Sequence, residues 1–360
     1  MSLSPYEKKL PEWAAVPGLL APPSLSLEQC SGPAAARHKA ALVREYLPEG
    51  GDLLADLTGG LGVDFTTLAP LFRRAVYAER NEELCRLAQH NFPLLGVRHA
   101  EVLHTEAAEA LRGISGADLL YMDPARRDAA GRRTLLVEDC TPDATLLLPE
   151  MMARSRFVLL KLAPMLDIKR ALTSLARPAE RVDIVAVGGE CKELLFLFRS
   201  DARVEAEGAA EPLITCIDDT YTFAFRPAEE AGATAACTAT IGDYLYEPGA
   251  AVLKAGAFKL VAARFGLQKL HPNSHLYTAD RAVDGFPGRR FRVRTVSSFA
   301  KRDVRRLLAE TDRANLAVRN FPGTVAELRK RFKLRDGGTQ YWFATTLADR
   351  SHVLIVTEKC

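Results

Sequence analysis

Three short apolar runs in this chain end at residues that could bind a ligand or take part in a reaction. They lie within residues 53–64, 76–80 and 119–126, and each stops at a polar or glycine-rich turn. A run of this kind is typical of a buried parallel strand, which carries functional groups to the carboxyl edge of a sheet. The pattern therefore predicts one binding crevice formed by neighbouring strand ends.

The turn after the first run is built from Thr58, Gly59, Gly60 and Gly62. Glycine has no Cβ, so the backbone can turn tightly and a ligand can approach it closely. We expect a helix to begin near Asp64, because its first amide groups and its positive dipole end would then face the ligand. These residues indicate a nucleoside-binding turn.

Two features of the turn favour S-adenosylmethionine over a dinucleotide. A dinucleotide-binding turn would have Gly or Ala three residues after Gly62, so that helix and strand can pack closely. Phe65 occupies this position. An acid, Asp56, stands instead at the start of the motif. Its carboxylate could meet the ammonium group, or a water molecule, of a zwitterionic ligand.

Acids after the next two runs would complete the cofactor site. Glu79, followed by Arg80, ends the second run and could accept hydrogen bonds from both ribose hydroxyls. Glu106, followed by Ala107, stands after the run at residues 100–103 and could accept from the adenine amino group. Glu109 lies one helical turn further on and could serve in its place.

The last run ends at Asp123 and Pro124, which suggest a reaction. Proline has a fixed φ and no N–H, so this turn is rigid and leaves a carboxylate and a carbonyl oxygen as free acceptors. Two acceptors can hold both protons of an exocyclic amine and aim the nitrogen lone pair at a methyl donor. Such a transfer depends mainly on alignment and requires neither a metal nor a strong base.

These residues resemble those of class I S-adenosylmethionine-dependent methyltransferases that modify amines. The similar positions are Asp56, Thr58, Gly60, Gly62, Glu79, Glu106 and Asp123-Pro124. Residues 81–97 are similar to guanine-N2 RNA methyltransferases. The resemblance implies a Rossmann-like, mostly parallel sheet and a cofactor site that also includes Gly59, Asp64, Arg80 and Ala107.

A closer resemblance is to bacterial methyltransferases with a carboxyl-terminal THUMP-like domain, and it covers nearly the whole chain. The matching segments are SLEQCS at 26–31, GECKE at 189–193, YEPG at 246–249, LYTA at 276–279 and RNFP at 319–322. The resemblance implies RNA as the substrate, either tRNA or rRNA. It also implies a smaller α+β module of ferredoxin-like or THUMP-like fold.

One position departs from the amine-methylating motif. The usual second proline and aromatic residue are replaced by Ala125 and Arg126. A guanidinium plane can stack on a base or pair with a phosphate, so Arg126 or Arg127 could substitute for the missing ring. Both arginines could equally lie in a solvated loop, and guanine N2 and adenine N6 both stay open as methyl acceptors.

Changes in the sequence pattern along the chain predict three parts: an irregular arm at residues 1–33, a methyltransferase domain at 34–240 and a THUMP-like module at 241–360. The arm leads into a helix over 34–46. Strands are expected near residues 52–57, 75–79, 100–103, 118–122, 156–161, 182–187 and 193–199. The last two of these are close enough in the chain to form an antiparallel hairpin at the sheet edge. In the module, we predict helices over 251–265, 301–313 and 325–332, with strands around 291–296 and 353–357.

The positive charge is concentrated in the last part of the chain. Residues 286–335 contain fifteen Lys and Arg against four Asp and Glu, whereas the net charge of the whole chain is +3. Such segregation is expected for a module that binds a polyanion, although many of these residues could be ordinary solvated helix charges. The RNA-binding candidates are Arg127, Lys161, Arg289, Arg290, Arg292, Arg319, Arg329 and Arg331. Lys161 could also simply extend from a strand end toward solvent.

Composition predicts a soluble protein of the cytoplasm. The first residues have no apolar signal core, and no run of about 18 apolar residues occurs. The seven cysteines include no Cys-x-x-Cys pair, so reduced thiols are expected and no metal is assigned. Two other hypotheses remain: a methyltransferase for a protein amide or small amine, and an RNA-binding protein whose methyltransferase fold is catalytically silent.

Overall fold

The computed structural model describes residues 6–125, 136–200 and 211–360. Arg126 and Arg127 therefore lie outside the described residues. The chain divides into two units, the first formed by Met1–Val187 with Cys191–Thr215 and the second by Gly188–Glu190 with Cys216–Cys360.

The first unit alternates strands with helices. Its elements, with one 3₁₀ turn at Ala69–Leu71, are α1 (Pro11–Ala14), α2 (Ser24–Gln29), α3 (Pro33–Tyr46), β1 (Gly51–Asp56), α4 (Val63–Leu68), β2 (Phe72–Glu79), α5 (Glu82–Leu94), β3 (Ala100–His104), α6 (Ala107–Gly113), β4 (Ala117–Met122), α7 (Ala144–Arg154), β5 (Ser155–Leu162), α8 (Ile168–Leu175), β6 (Arg181–Val187), β7 (Glu190–Arg199) and β8 (Leu213–Asp218). All seven strands expected from the sequence are present.

The sheet of this unit runs in the order β3-β2-β1-β4-β5-β7-β6 and continues with β8. Strands β3, β2, β1, β4 and β5 are parallel to one another, and β7 is antiparallel to β5. The mostly parallel Rossmann-like sheet is thus confirmed. The expected hairpin of β6 and β7 forms, but it lies inside the sheet because β8 extends the sheet beyond β6.

The amino-terminal arm contains more structure than expected. Helices α1 and α2 lie within it, and Tyr6, Leu10 and Trp13 are buried in a cluster with Leu61 and Val63. The last two residues flank Gly62 in the glycine-rich turn, so the arm packs directly behind that turn. The helix predicted over 34–46 is confirmed as α3.

The second unit contains another sheet, which is formed by β10 to β16 and does not include β9. Its elements are β9 (Tyr221–Phe225), α9 (Pro227–Gly232), β10 (Tyr244–Pro248), α10 (Ala250–Ala255), α11 (Phe258–Phe265), β11 (Gln268–Lys269), β12 (Tyr277–Ala279), β13 (Gly288–Ser297), α12 (Lys301–Glu310), β14 (Asn315–Arg319), α13 (Val325–Phe332), β15 (Gln340–Thr346) and β16 (His352–Lys359). The strand order is β11-β12-β10-β13-β16-β15-β14, with β14 and β15 parallel and the other pairs antiparallel.

One expectation for this unit needs correction. The continuous helix predicted over 251–265 is wrong: Gly256 adopts a left-handed φ of 75° and ends α10, and α11 begins at Phe258. Helix α9 also packs within this unit. The Glu230 carboxylate accepts from the first backbone amides of α11, at Lys259 and Leu260.

Helices α12 and α13 cover one face of the second sheet. Val304 and Leu307 from α12 pack with Leu328 and Phe332 from α13 against a core that includes Trp342. This packing leaves the charged residues of both helices on the outer side. Within the described ranges, none of the helices has the length and apolar character needed to cross a bilayer.

Candidate active site

Adjacent parallel strands bring the predicted acids to one edge of the first sheet. In the register, Asp56 pairs with Tyr77 on one side and with Tyr121 on the other. Glu79 and Asp123 each stand two residues beyond those partners. The three carboxylates therefore meet at the carboxyl ends of β2, β1 and β4, where the strand order reverses and α/β sheets bind ligands.

Thr58 connects the first of these strand ends to the last. Its backbone N–H donates to Asp56 Oδ1 over 2.9 Å, and its Oγ1 accepts from the Asp123 N–H over 2.7 Å. Asp56 is only 2% exposed. Burial raises the pKa of Asp56 well above its usual range, and the nearby negative charges of Asp64, Asp123 and Glu79 add to this effect.

Two glycines of the turn have no room for a side chain. A Cβ on Gly59 would lie 2.1 Å from the Tyr77 ring. Gly62 has a left-handed φ of 83°, and a Cβ there would lie 2.6 Å from the Phe92 ring. The two rings also pack edge to face, with centroids 5.1 Å apart. The turn thus lies directly on a packed aromatic pair.

Glu79 is joined to the same turn. Its Oε2 accepts from the Gly60 N–H and its Oε1 from the Asn81 N–H, each over 2.8 Å. Each oxygen keeps a further lone pair. Arg80 is exposed immediately beyond the strand. The acid predicted to receive the ribose hydroxyls is therefore fixed beside the glycine-rich turn.

Glu106 lies at the end of the next strand. It is exposed just before Ala107, the buried first residue of α6. Glu109, the alternative adenine contact, instead accepts a hydrogen bond of 2.9 Å from Thr105 Oγ1. This difference favours Glu106 as the acid that is available to a ligand.

The turn at Asp123 and Pro124 is held on both sides. Beyond the bond to Thr58, Ala125 and Thr141 exchange two backbone hydrogen bonds of 2.7 and 3.0 Å. Lys161 Nζ donates to Asp123 Oδ2. Within the described part of the chain, Asp123 Oδ1 has no such partner.

Asp64 belongs to a buried network instead of standing free. Its Oδ2 accepts from Ser31 Oγ over 2.8 Å and from the Tyr121 hydroxyl over 2.7 Å, and its Oδ1 lies 3.0 Å from Lys39 Nζ. Burial alone would raise the pKa of Asp64, but the ammonium groups of Lys39 and Lys161 lower it below its usual range. A cofactor contact for Asp64 stays a prediction.

Lys39 bridges that network to the antiparallel strand β7. Its side chain is fully buried, and Nζ lies 2.6 Å from Glu193 Oε1 as well as 3.0 Å from Asp64. The roles of Glu193, Tyr121 and Ser31 were not predicted from the sequence. One signal was available, since Lys39 lies on the buried face of α3 with Ala36, Ala40 and Val43, where a lysine requires a charged partner.

Most of the predicted RNA-binding arginines have partners in the second unit. Arg289 and Arg319 both bind the buried Glu247 carboxylate, Arg290 binds Asp284, and Arg329 binds Asp336. Arg331 donates to the Phe299 carbonyl oxygen and lies over the Phe332 ring. Arg292 is exposed. Lys161 lies in the first unit, in contact with Asp123.

Two family models match the second unit. A ferredoxin-like domain matches residues 244–287, and a THUMP domain-like family matches residues 288–359. The two matches meet where β13 begins. The boundary between them falls within one sheet, because β10 and β13 pair with each other. The predicted ferredoxin-like and THUMP-like character of the module is confirmed.

Similar proteins extend over both units. A crystal structure described as a "putative methyltransferase from Porphyromonas gingivalis W83" is 38% identical, covers 99% of this chain and 87% of its own, and has a TM-score of 0.89. A protein of Mycobacterium tuberculosis, described as an uncharacterized S-adenosylmethionine-dependent methyltransferase, is 26% identical over 316 residues, or 86% of this chain and 80% of the relative. The chain therefore belongs to the class I S-adenosylmethionine-dependent methyltransferases with a carboxyl-terminal THUMP-like domain.

Proposed function

We propose that this enzyme methylates an exocyclic amine, guanine N2 or adenine N6, of a base in structured RNA such as tRNA or rRNA. The observation that best supports this proposal is the Asp123-Pro124 turn. It lies at the end of β4 and is hydrogen-bonded through Thr58 to the glycine-rich turn. Among the residues that the structure describes, none donates a hydrogen bond to Asp123 Oδ1 or to the Pro124 carbonyl oxygen.

The residues at the sheet edge fit S-adenosylmethionine. Gly59 and Gly62 leave the turn without side chains, Glu79 could receive the ribose hydroxyls, and Glu106 could receive the adenine amine. When bound, this cofactor supplies a methyl group on a positively charged sulfur, which passes to a nucleophile as the S–C bond breaks.

Asp123 and Pro124 would prepare the nucleophile. If Asp123 Oδ1 and the Pro124 carbonyl accept the two amine protons, the nitrogen lone pair is directed away from both and toward the methyl group. Such alignment can be worth about 7 to 11 kcal/mol of the barrier. The nitrogen loses one proton as the N–C bond forms, and the Asp123 carboxylate is the adjacent acceptor.

The charge of the second unit supports RNA as the carrier of the amine. All fifteen Lys and Arg of the basic segment at residues 286–335 lie within the THUMP-like match at residues 288–359. Several cations of this segment make no ion pair within the described residues and are exposed on the outer side of α12 and α13. We call these five residues the helix-face cations: Lys301, Arg305, Arg306, Lys330 and Lys333.

These cations are better candidates for phosphate contacts than the ion-paired arginines. An arginine held by a carboxylate must give up that pair to bind a phosphate, whereas an unpaired surface cation only releases counterions. We therefore expect RNA to bind through the helix-face cations first. Arg292 is exposed on β13 and could join them.

The Asp123→Ala variant tests the reaction. We expect it to lose turnover, because one of the two amine acceptors is removed, and to keep its S-adenosylmethionine affinity close to that of the wild type, because Asp123 is not among the residues assigned to the cofactor. The assay would use tritiated S-adenosylmethionine with tRNA and rRNA fractions from cells lacking the enzyme, and calorimetry would measure cofactor affinity.

Label that enters one RNA fraction with the wild type and disappears with the variant would support the proposal. Nucleoside digestion would then separate guanine N2 from adenine N6. A fully active variant would refute the role of Asp123. Label in protein or small amines but in no RNA would favour the alternative acceptor class.

A further inference from the structure

Lys161 occupies an unusual place for a strand-end lysine. It lies near the end of β5, its side chain is 12% exposed, and its Nζ donates to Asp123 Oδ2. The Asp64 carboxylate lies 4.0 Å from the same nitrogen. The ammonium group is therefore turned inward, toward the residue proposed to hold the substrate amine.

The surroundings of Lys161 are fixed by several elements. Asp64 is held by Ser31 from the arm, Tyr121 from β4 and Lys39 from α3. Because these hydrogen-bond partners come from separate elements, Asp64 has little freedom to move. A lysine attracted to it therefore has a defined position.

Lys161 belongs to a cluster of five charged side chains whose net charge is negative. Two lysines, Lys39 and Lys161, stand among the three carboxylates of Asp64, Asp123 and Glu193. With all five groups ionised, one negative charge remains. This sign is favourable beside a positively charged methyl donor and an amine that gains positive charge during transfer.

Lys161 is poorly suited to be a methyl acceptor itself. Burial lowers the pKa of its ammonium, but Asp123, Asp64 and Glu193 outweigh burial and raise the pKa above its usual range. A protonated ammonium has no lone pair with which to attack a methyl group. Lys161 can therefore remain beside the transferred group without being modified.

We infer that Lys161 is a positioning residue: by holding Oδ2 of Asp123, it leaves Oδ1 directed, together with the Pro124 carbonyl, at the two protons of the substrate amine. This inference rests on the proposed function and gives Lys161 a role other than RNA binding. A lysine that bound an RNA phosphate would have to leave Asp123, and a half-buried carboxylate would then stand without its cationic partner.

The test compares three variants in the RNA methylation assay. The RNA fraction and S-adenosylmethionine are both present at saturating concentrations. Lys161→Met removes the hydrogen bond, Lys161→Arg retains a cationic donor, and Lys169→Met removes one exposed charge from the neighbouring helix α8. We expect kcat to fall about 100-fold in Lys161→Met, the effect of misplacing a reacting group by about 1 Å. Lys161→Arg should recover most of this loss, and Lys169→Met should match the wild type.

Affinity measurements separate positioning from RNA binding. Positioning predicts that Lys161→Met keeps its affinity for S-adenosylmethionine and for the RNA fraction, with the salt dependence of RNA binding unchanged. A wild-type kcat in Lys161→Met, or a loss confined to RNA affinity, would overturn the inference. If Asp123→Ala were active as well, the proposed function itself would fail, so the two failures can be told apart.

A measurement without turnover tests the inference even where no RNA fraction is labelled. Crystal structures with S-adenosylhomocysteine should show one orientation of the Asp123 carboxylate in the wild type and Lys161→Arg. In Lys161→Met the carboxylate should rotate or occupy several orientations. An unchanged carboxylate in Lys161→Met would contradict the inference.

Discussion

At the scale of single residues, Thr58 and Asp56 connect the glycine-rich turn to the proposed amine site at Asp123. Thr58 uses its N–H for Asp56 and its hydroxyl for the backbone of Asp123. The buried Asp56 carboxylate thus fixes the start of the turn. A buried acid with few donors destabilises the fold, and such costs are commonly retained at functional sites.

Asp56 gives a prediction for the pH dependence of stability. Its pKa in the folded protein is raised above the unfolded value of 3.8, so the folded state binds its proton more tightly. The stability that this group contributes is complete below pH 3.8 and is lost as the pH rises through the folded pKa. Asp56→Asn, which keeps an oxygen for the Thr58 N–H, should therefore be more stable than the wild type at pH 8.

Urea unfolding between pH 4 and pH 8 would measure this difference. The gain of Asp56→Asn in free energy of unfolding should shrink steadily toward pH 4. Asp52→Asn is the control, since Asp52 is an exposed acid on the same strand, paired with Arg74. An Asp56→Asn gain that did not change with pH would show that ionisation of Asp56 is not the cause.

At the scale of elements, α3 holds the amino-terminal part of the chain to the sheet. Lys39 on this helix binds Asp64, next to the glycine-rich turn, and Glu193 on β7. The helix therefore links the glycine-rich turn to an antiparallel strand on the other side of β5. The arm adds to this link through Ser31, which donates to Asp64.

Lys39→Met should lower the free energy of unfolding by about 3 to 5 kcal/mol, because two buried carboxylates lose their shared partner. Arg37→Met is a matched control on the same helix. Arg37 pairs with Glu12 at the surface, and such a pair contributes about 0 to 1 kcal/mol. Chemical denaturation of both variants would measure the difference.

A second variant separates charge from packing. Adding Glu193→Leu to Lys39→Met removes one of the uncompensated carboxylates and should recover part of the lost stability. If Lys39→Met unfolded no more easily than Arg37→Met, the buried ion pairs would not be important to the fold.

At the scale of the whole molecule, the candidate active site and the basic segment lie in different units of the chain. The first unit holds the residues proposed to bind the amine and the cofactor, while the segment with fifteen Lys and Arg against four Asp and Glu lies in the second. Much of that positive charge is neutralised locally by ion pairs, for example at Glu247. The remaining helix-face cations are the part available to a polyanion.

A salt titration tests this assignment. Arg305→Gln combined with Lys330→Gln should weaken binding to the tRNA or rRNA fraction. The plot of log affinity against log salt concentration should become less steep, by about 0.7 to 0.9 for each phosphate that the variant no longer neutralises. Arg290→Gln with Arg329→Gln removes the same charge from ion-paired arginines and should have a smaller effect.

Fluorescence anisotropy with labelled RNA would measure these slopes between about 50 and 200 mM salt, a range over which phosphate-dominated binding weakens strongly. Equal effects of the two double variants would contradict the assignment.

The sequence by itself determined seven strands of the first sheet, the glycine-rich turn and the acids at the strand ends. These features are local: apolar runs, glycines and the residues directly after each run predict them without knowledge of distant contacts. The strand ends then had to meet, because parallel neighbours share an edge.

Only the tertiary structure decided which charges are paired. Lys39 and Glu193 are separated by 154 positions, and no local pattern relates them. The same is true of Lys161, which the sequence placed near the site but whose partner, Asp123, depends on the pairing of β4 with β5. The arginines of the second unit likewise became paired or free through strand register and helix packing. Local sequence determines which groups are present, whereas the packing of distant elements determines which of them remain available for chemistry.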